Sequence, residues 1–144
     1  MTMHLKEKEL AAVGISLAAG CRPCTDYHLK AVRQAEASEE EISRARRIAI
    51  GIRSRAAEIM GVYGLASEPA PYPVTDERTA LLTAIGAAFA VNCTTSLEHY
   101  LAAAAAAGID QDEIAALTKL SGFIRGKAIS HVEALVPTLT EAAA

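Results

Sequence analysis

The chain has 144 residues, enough for one domain with a sizeable core, and carries a net charge of −3 with a sequence pI of about 5.8. That balance gives no overall attraction to nucleic acid or to an anionic membrane surface, and no apolar run approaches the ~18 residues of a membrane span. Hydrophobic residues make up 51% of the chain and aromatics 4%, with no Trp. Much of the apolar content is alanine and alternating β-branched stretches are absent, so the expected class is all-α.

The first helix is predicted from Leu5 to Ala19, closed by Gly20. The second begins at Arg22, with Pro23 in its first turn, and is expected to reach Ala37. Ser38 and Glu41 form a capping box that opens a third helix, whose apolar stripe is Ile42, Ala45, Ile48, Ala49, Ile52, Ala56 and Ile59. Gly61 and Gly64 are expected to end it. Residues 65–75 contain Pro69, Pro71 and Pro73 and read as an extended connector. Thr75 is the expected N-cap of a fourth helix over 76–91. Thr95 with Glu98 would cap a fifth, stopping at Gly108, and Asp110 with Glu113 a sixth over 111–131. Pro137 marks a frayed end.

The second half repeats the first. Sliding residues 9–59 onto 81–131 pairs Gly14 with Gly86, Cys21 with Cys93, Glu41-Ile42 with Glu113-Ile114 and Ile52-Arg53 with Ile124-Arg125. The alanine matches carry less weight in so alanine-rich a chain. The reading is a single domain over 1–144 built of two three-helix repeats, about 5–62 and 76–134. The comparison also locates the chemistry, because Glu9, Cys24 and His28 become Leu81, Ser96 and Tyr100. The second unit loses every titratable group of the candidate site, so only the first can be active.

Those groups cluster around Cys21-Arg22-Pro23-Cys24 and His28. Two thiols at this spacing can close a small disulfide or hold one metal. On a helix beginning near Pro23, Cys24 and His28 stand one turn apart on one face, where an imidazole can take the thiol proton. Glu9 lies twelve residues before Cys21. In an antiparallel hairpin turned at Gly20 it sits ~16 Å back along the first helix, and His28 sits ~12 Å along the second, at similar depth. A Glu9–His28–Cys24 proton relay is therefore geometrically sensible.

An odd number of cysteines does not make a secreted disulfide scaffold. The amino terminus lacks the apolar stretch of a signal peptide, so the expected compartment is the reducing cytoplasm. Zinc bound by Cys21, Cys24 and His28, with Cys93 or His99 as a fourth ligand, is the rival to redox chemistry, but the spacing matches no finger pattern. Cys93, His99, Tyr100 and Tyr27 are read as structural. His4 and His131 carry no signal alone. The arginines at 44, 46, 47, 53 and 55 are read as a solvated or interface face, since acids adjoin them and no aromatics interleave.

The arrangement Glu-x11-Cys-x-x-Cys-x-x-x-His in a small helical chain resembles the AhpD-like and carboxymuconolactone decarboxylase superfamily. The resemblance implies an all-helical fold, assembly as a trimer or hexamer, and thiol-based reduction of hydroperoxides or disulfides; no cofactor and no metal is expected. It implies Cys24 as the attacking thiol, Cys21 as the resolving one, and Glu9 with His28 as the proton relay. The implied cycle has Cys24 attack a peroxide oxygen, Cys21 condense with the sulfenic acid, and a thiol or dithiol protein restore the pair. One departure is plain. The best-studied AhpD pattern has a His between the cysteines where this chain has Arg22-Pro23, which weakens peroxidase chemistry more than dithiol exchange. Two other readings use the same residues: a non-catalytic zinc-binding or redox-sensing interaction protein, and a lactone decarboxylase-like acid–base enzyme working through Glu9 and His28. Scarce large apolar residues and the alanine run at 102–107 point to a homo-oligomer.

Overall fold

The computed structural model describes residues 3–66, 71–73 and 75–143, with side chains to residue 137. Six α-helices follow one another: α1 (Leu5–Ala19), α2 (Arg22–Gln34), α3 (Glu39–Gly64), α4 (Arg78–Ala90), α5 (Thr94–Ala106) and α6 (Gln111–Ala143). No strand occurs among the described residues, and none of these helices is long and apolar enough to cross a membrane. The class is all-α, as composition predicts.

Helices α1 and α4 form the centre. Leu10 to Ser16 in α1 and Ala80 to Ala88 in α4 are buried without interruption, the mark of a helix surrounded on all sides. Their close crossing rests on two glycines. A Cβ on Gly14 would lie 2.6 Å from Thr83 Cγ2, and one on Gly86 would lie 2.8 Å from Ile15 Cγ1. No larger residue fits either position without displacing the partner helix. The other helices pack around this pair, α2 and α3 against α1, α5 against α4, and α6 against both.

Residues matched between the two halves do the same physical work in each. After α1, the Gly20 amide donates to the Leu17 carbonyl and the Cys21 amide to Ser16; after α4, Asn92 donates to Phe89 and Cys93 to Ala88. Both are Schellman turns, with φ of 74° at Gly20 and 58° at Asn92. Each is followed by a cysteine whose sulfur caps the next helix, Cys21 accepting from the Cys24 amide at 3.2 Å and Cys93 from Ser96 at 3.5 Å. Arg53 donates to the Ala18 carbonyl at 2.6 Å, and Arg125 to Phe89 at 3.4 Å. The pairs Lys6–Glu41 and Arg78–Glu113 also correspond, each tying the first turn of a central helix to the capping box of a long one.

Several boundaries differ from expectation. Helix α2 ends at Gln34 rather than Ala37, because Glu36 enters the left-handed region at φ 64° and closes a Schellman turn. Helix α3 passes through Gly61 and ends at Gly64. Helix α4 is capped by Glu77, whose carboxylate takes the Thr79 and Ala80 amides, and not by Thr75. Helix α5 is capped by Cys93 instead of Thr95. Helix α6 continues through Pro137 to Ala143; residues 129–137 are exposed, so the backbone hydrogen bond lost at Pro137 breaks no packing there. Of the expected connector, 67–70 and 74 lie outside the described residues, including Pro69. Tyr72 reaches back to hydrogen-bond Ser96 at 2.8 Å.

Candidate active site

The turn between α1 and α2 positions the two cysteines. Gly20 reverses the chain, Cys21 becomes the N-cap of α2, and Pro23 occupies the first turn, where its missing N–H costs nothing. Cys24 then falls in the same first turn, and the two residues are joined as a disulfide with Cα atoms 5.3 Å apart. Both are nearly buried, at 5% and 7% exposure. Of the two chemistries the spacing left open, the disulfide is the one present.

One turn beyond Cys24, His28 meets Glu9 across the α1–α2 hairpin, with Nδ1 and Oε2 2.9 Å apart. Their side chains are 13% and 12% exposed, so the pair is largely shielded. Donation from Nδ1–H to the carboxylate fixes the ring and makes Nε2 the basic nitrogen of the neutral imidazole. Tyr27, expected to be structural, is instead exposed, and its ring meets His28 edge-on at 5.0 Å between centroids.

A residue without signal in the sequence joins this group. His131 on α6 brings a ring nitrogen within 4.8 Å of both sulfurs, whose own separation is set by the disulfide. Its counterpart in the first repeat is Ile59, and it stands at the end of the sixth helix as read from sequence, so neither periodicity nor duplication marks it. A metal needs thiolates rather than disulfide sulfurs, so in the oxidised form these three residues are not a metal site. The other suggested zinc ligands lie elsewhere. Cys93 is buried and donates to the Ser96 hydroxyl, and His99 stacks on Tyr72 at 4.2 Å.

Two clefts open beside the disulfide. A cavity of about 570 Å³ lies between the start of α2 and α6, with Pro23, Ile129, Val132 and Leu135 as apolar wall and Cys21 and His131 in its lining. A smaller one of about 350 Å³ runs past Cys21 on the side of Thr25, Asp26 and Arg53.

The second unit shows what the scaffold does without the site. Leu81, Ser96 and Tyr100 are all buried. Burial, followed by the neighbouring Tyr72, pushes the Tyr100 phenol up, which keeps it neutral. Tyr100 borders a separate cavity of about 510 Å³ together with Tyr72 and Arg55, whose guanidinium lies 4.5 Å from the Tyr72 ring centre. The arginines of α3 are thus partly internal. Arg53 caps α1 and Arg55 covers Tyr72, while Arg44 pairs with Glu40 on the surface.

Residues 3–61 match the model of the Carboxymuconolactone decarboxylase family. The match covers α1, α2 and most of α3, and so all of Glu9, Cys21, Cys24 and His28. Neither the curated proteins nor the solved structures yield a match to the chain.

Proposed function

We propose that this chain, related through its first helical unit to the carboxymuconolactone decarboxylase family, is a thiol–disulfide oxidoreductase with hydroperoxide reductase activity. The observation that carries this reading is the Cys21–Cys24 disulfide at the head of a hairpin that also holds the Glu9–His28 hydrogen bond. In the dithiol state one sulfur attacks a peroxide oxygen or a substrate disulfide. The other closes the Cys21–Cys24 bond, and two electrons have passed to the substrate. His28, oriented by Glu9, supplies the proton that the departing oxygen or sulfur needs. An external thiol or dithiol protein returns the pair to the reduced form, a supply that a reducing compartment such as the cytoplasm provides. The reading assigns the chain no bound cofactor and no resident metal, and further copies of itself as partners.

The test is turnover. Protein reduced with dithiothreitol should consume an alkyl hydroperoxide or a small aromatic disulfide through many cycles. Replacing either Cys21 or Cys24 by Ser should end cycling. A wild-type protein that oxidises once and stops would be a sensor, not an enzyme. Activity on a lactone that survives alkylation of both thiols would belong instead to acid–base chemistry of Glu9 and His28.

A further inference from the structure

We propose that Cys21, rather than Cys24, is the sulfur that exchanges with external substrate and reductant, and that His131 of α6 is its acid–base partner. This rests on the oxidoreductase reading and assigns the direction of its cycle, reversing the order implied by family resemblance.

Three observations converge on Cys21. It is the N-cap of α2, so its sulfur accepts the Cys24 amide at 3.2 Å and sits at the positive end of the helix. Both features favour the thiolate over the thiol at that position. Both clefts beside the disulfide are lined by Cys21, and neither by Cys24. With both residues almost equally buried, what decides is which of them lines the open clefts. Finally, His131 lines the larger cleft together with Cys21 and without Cys24, its ring nitrogen within 4.8 Å of both sulfurs.

The charged and titratable groups lining the two clefts are Arg22, Asp26, Arg53, Arg125, His131 and Glu133. Arg53 and Arg125 are committed to backbone carbonyls, and arginine does not release a proton. Asp26 and Glu133 offer carboxyl oxygens and no nitrogen base. On the opposite side, across the α1–α2 hairpin, lies the Glu9–His28 pair. His131 is the imidazole of the cleft, a side chain with one nitrogen able to accept a proton and another able to donate one.

The cycle then divides between two imidazoles. In the reducing half, an external thiolate attacks Sγ of Cys21, forming a mixed disulfide and expelling the Cys24 thiolate, which takes a proton from His28. A second thiolate of the same reductant attacks the reductant's sulfur in that mixed disulfide and releases Cys21. The reductant leaves as a disulfide, the Cys21 thiolate takes a proton from His131, and the pair has gained two electrons and two protons. In the oxidising half, Cys21 gives its proton to His131 and attacks a peroxide oxygen or a substrate disulfide, while His28 relays the Cys24 proton to the departing alkoxide or thiolate. The Cys24 thiolate then displaces hydroxide from the sulfenic acid, or the second substrate thiolate from the mixed disulfide; that leaving group takes the proton from His131, and the Cys21–Cys24 bond returns.

The experiment is competitive labelling of the reduced full-length protein with limiting iodoacetamide, read peptide by peptide by mass spectrometry. It is paired with the rate of reaction of Cys24→Ser and Cys21→Ser with an aromatic disulfide. Serine is a good N-cap at 21, and Ser96 already stands at the position matching 24, so both variants retain their local structure. Cys21 should label first, and Cys24→Ser should react at least about tenfold faster than Cys21→Ser, leaving a stable mixed disulfide. In the Cys24→Ser background, His131→Gln should slow labelling about tenfold at neutral pH and remove the inflection that the imidazole contributes to its pH profile. Preferential labelling of Cys24, or a Cys21 pH profile unchanged by His131→Gln, would overturn the assignment. Neither readout requires turnover: a cycling enzyme labelled first at Cys24 refutes this inference alone, and a protein labelled first at Cys21 that never cycles refutes the oxidoreductase reading.

Discussion

At the scale of single residues, the Glu9–His28 contact separates a relay from a pair that merely packs. Each side chain is about seven-eighths shielded and faces the other at 2.9 Å. Glu9→Gln keeps the shape and a hydrogen bond but loses the carboxylate that accepts from the ring. Peroxide or disulfide turnover should fall about tenfold, and His28→Ala should cost about a hundredfold, with the thermal midpoint of unfolding little changed in the first case. Steady-state kcat/KM for both variants checks this, and equal rates in Glu9→Gln and wild type would remove Glu9 from the mechanism. The spacing from Glu9 to Cys21 was legible because a hairpin between two uninterrupted helices converts residue counts into depth. His131 was not legible, because its place beside the sulfurs depends on how α6 crosses the start of α2.

At the scale of elements, the hinge of the site is the α1–α2 turn, where three devices meet. Gly20 has φ 74°, and a Cβ there would lie 2.9 Å from Arg53 Nη1, so Gly20→Ala is opposed by both backbone and side chain. It should destabilise the protein by about 1 to 2 kcal/mol in urea unfolding. Arg53→Ala removes the donor to the Ala18 carbonyl and should cost about 1 kcal/mol. Both variants should also slow disulfide exchange, because the N-cap position of Cys21 follows directly from this turn. A loss of stability with exchange unchanged would mean that the turn holds the fold and not the site. The matching Arg53 and Arg125 already stood out in the repeat, but sequence could not say that they cap helices. Glu36 and Cys93 show the limit from the other side. A non-glycine Schellman turn and a sulfur N-cap each lie outside the residue preferences from which helix ends are read.

For the whole molecule, Arg78 ties the two halves together. It sits at the start of α4, donates to Glu7 of α1 at 3.0 Å and to the buried Glu113 of α6. The Glu7 hydrogen bond, then that of Glu113, raises the guanidinium pKa, so the charge is permanent. Burial pushes the Glu7 carboxyl up, but the Arg78 hydrogen bond, the His4 amide and nearby positive charge outweigh it, and the net position is below the ordinary 4.5. A carboxyl held low in the folded state adds stability that is complete above its unfolded value and lost as pH falls through the folded one. Stability should therefore decline on the acid side of about pH 4.5, and Arg78→Ala should flatten that decline. Its cost at neutral pH should be about 2 to 3 kcal/mol, since it weakens the compensation of the Glu113 carboxylate. Urea midpoints across pH check both statements, and an acid limb unchanged in Arg78→Ala would exclude the ion pair as its cause. At the same scale, Phe123, Ile129, Val132, Leu135 and Val136 leave large apolar area exposed along α6. Sedimentation velocity should show a species heavier than the 15.1 kDa monomer.

Local chemistry was enough for the all-α class, the limits of α1, the Ser38–Glu41 capping box and the membership of Glu9, Cys21, Cys24 and His28 in one hairpin. Helix propensity, capping and short spacings act between residues near one another in the chain, so they are written into it directly. The burial of α1 and α4 on every side, the Gly14 and Gly86 crossing, the Arg78 bridge and the approach of His131 to the sulfurs were decided only by tertiary structure. Each joins positions far apart in sequence, and such contacts depend on how close two helices can approach, a quantity that no single segment carries.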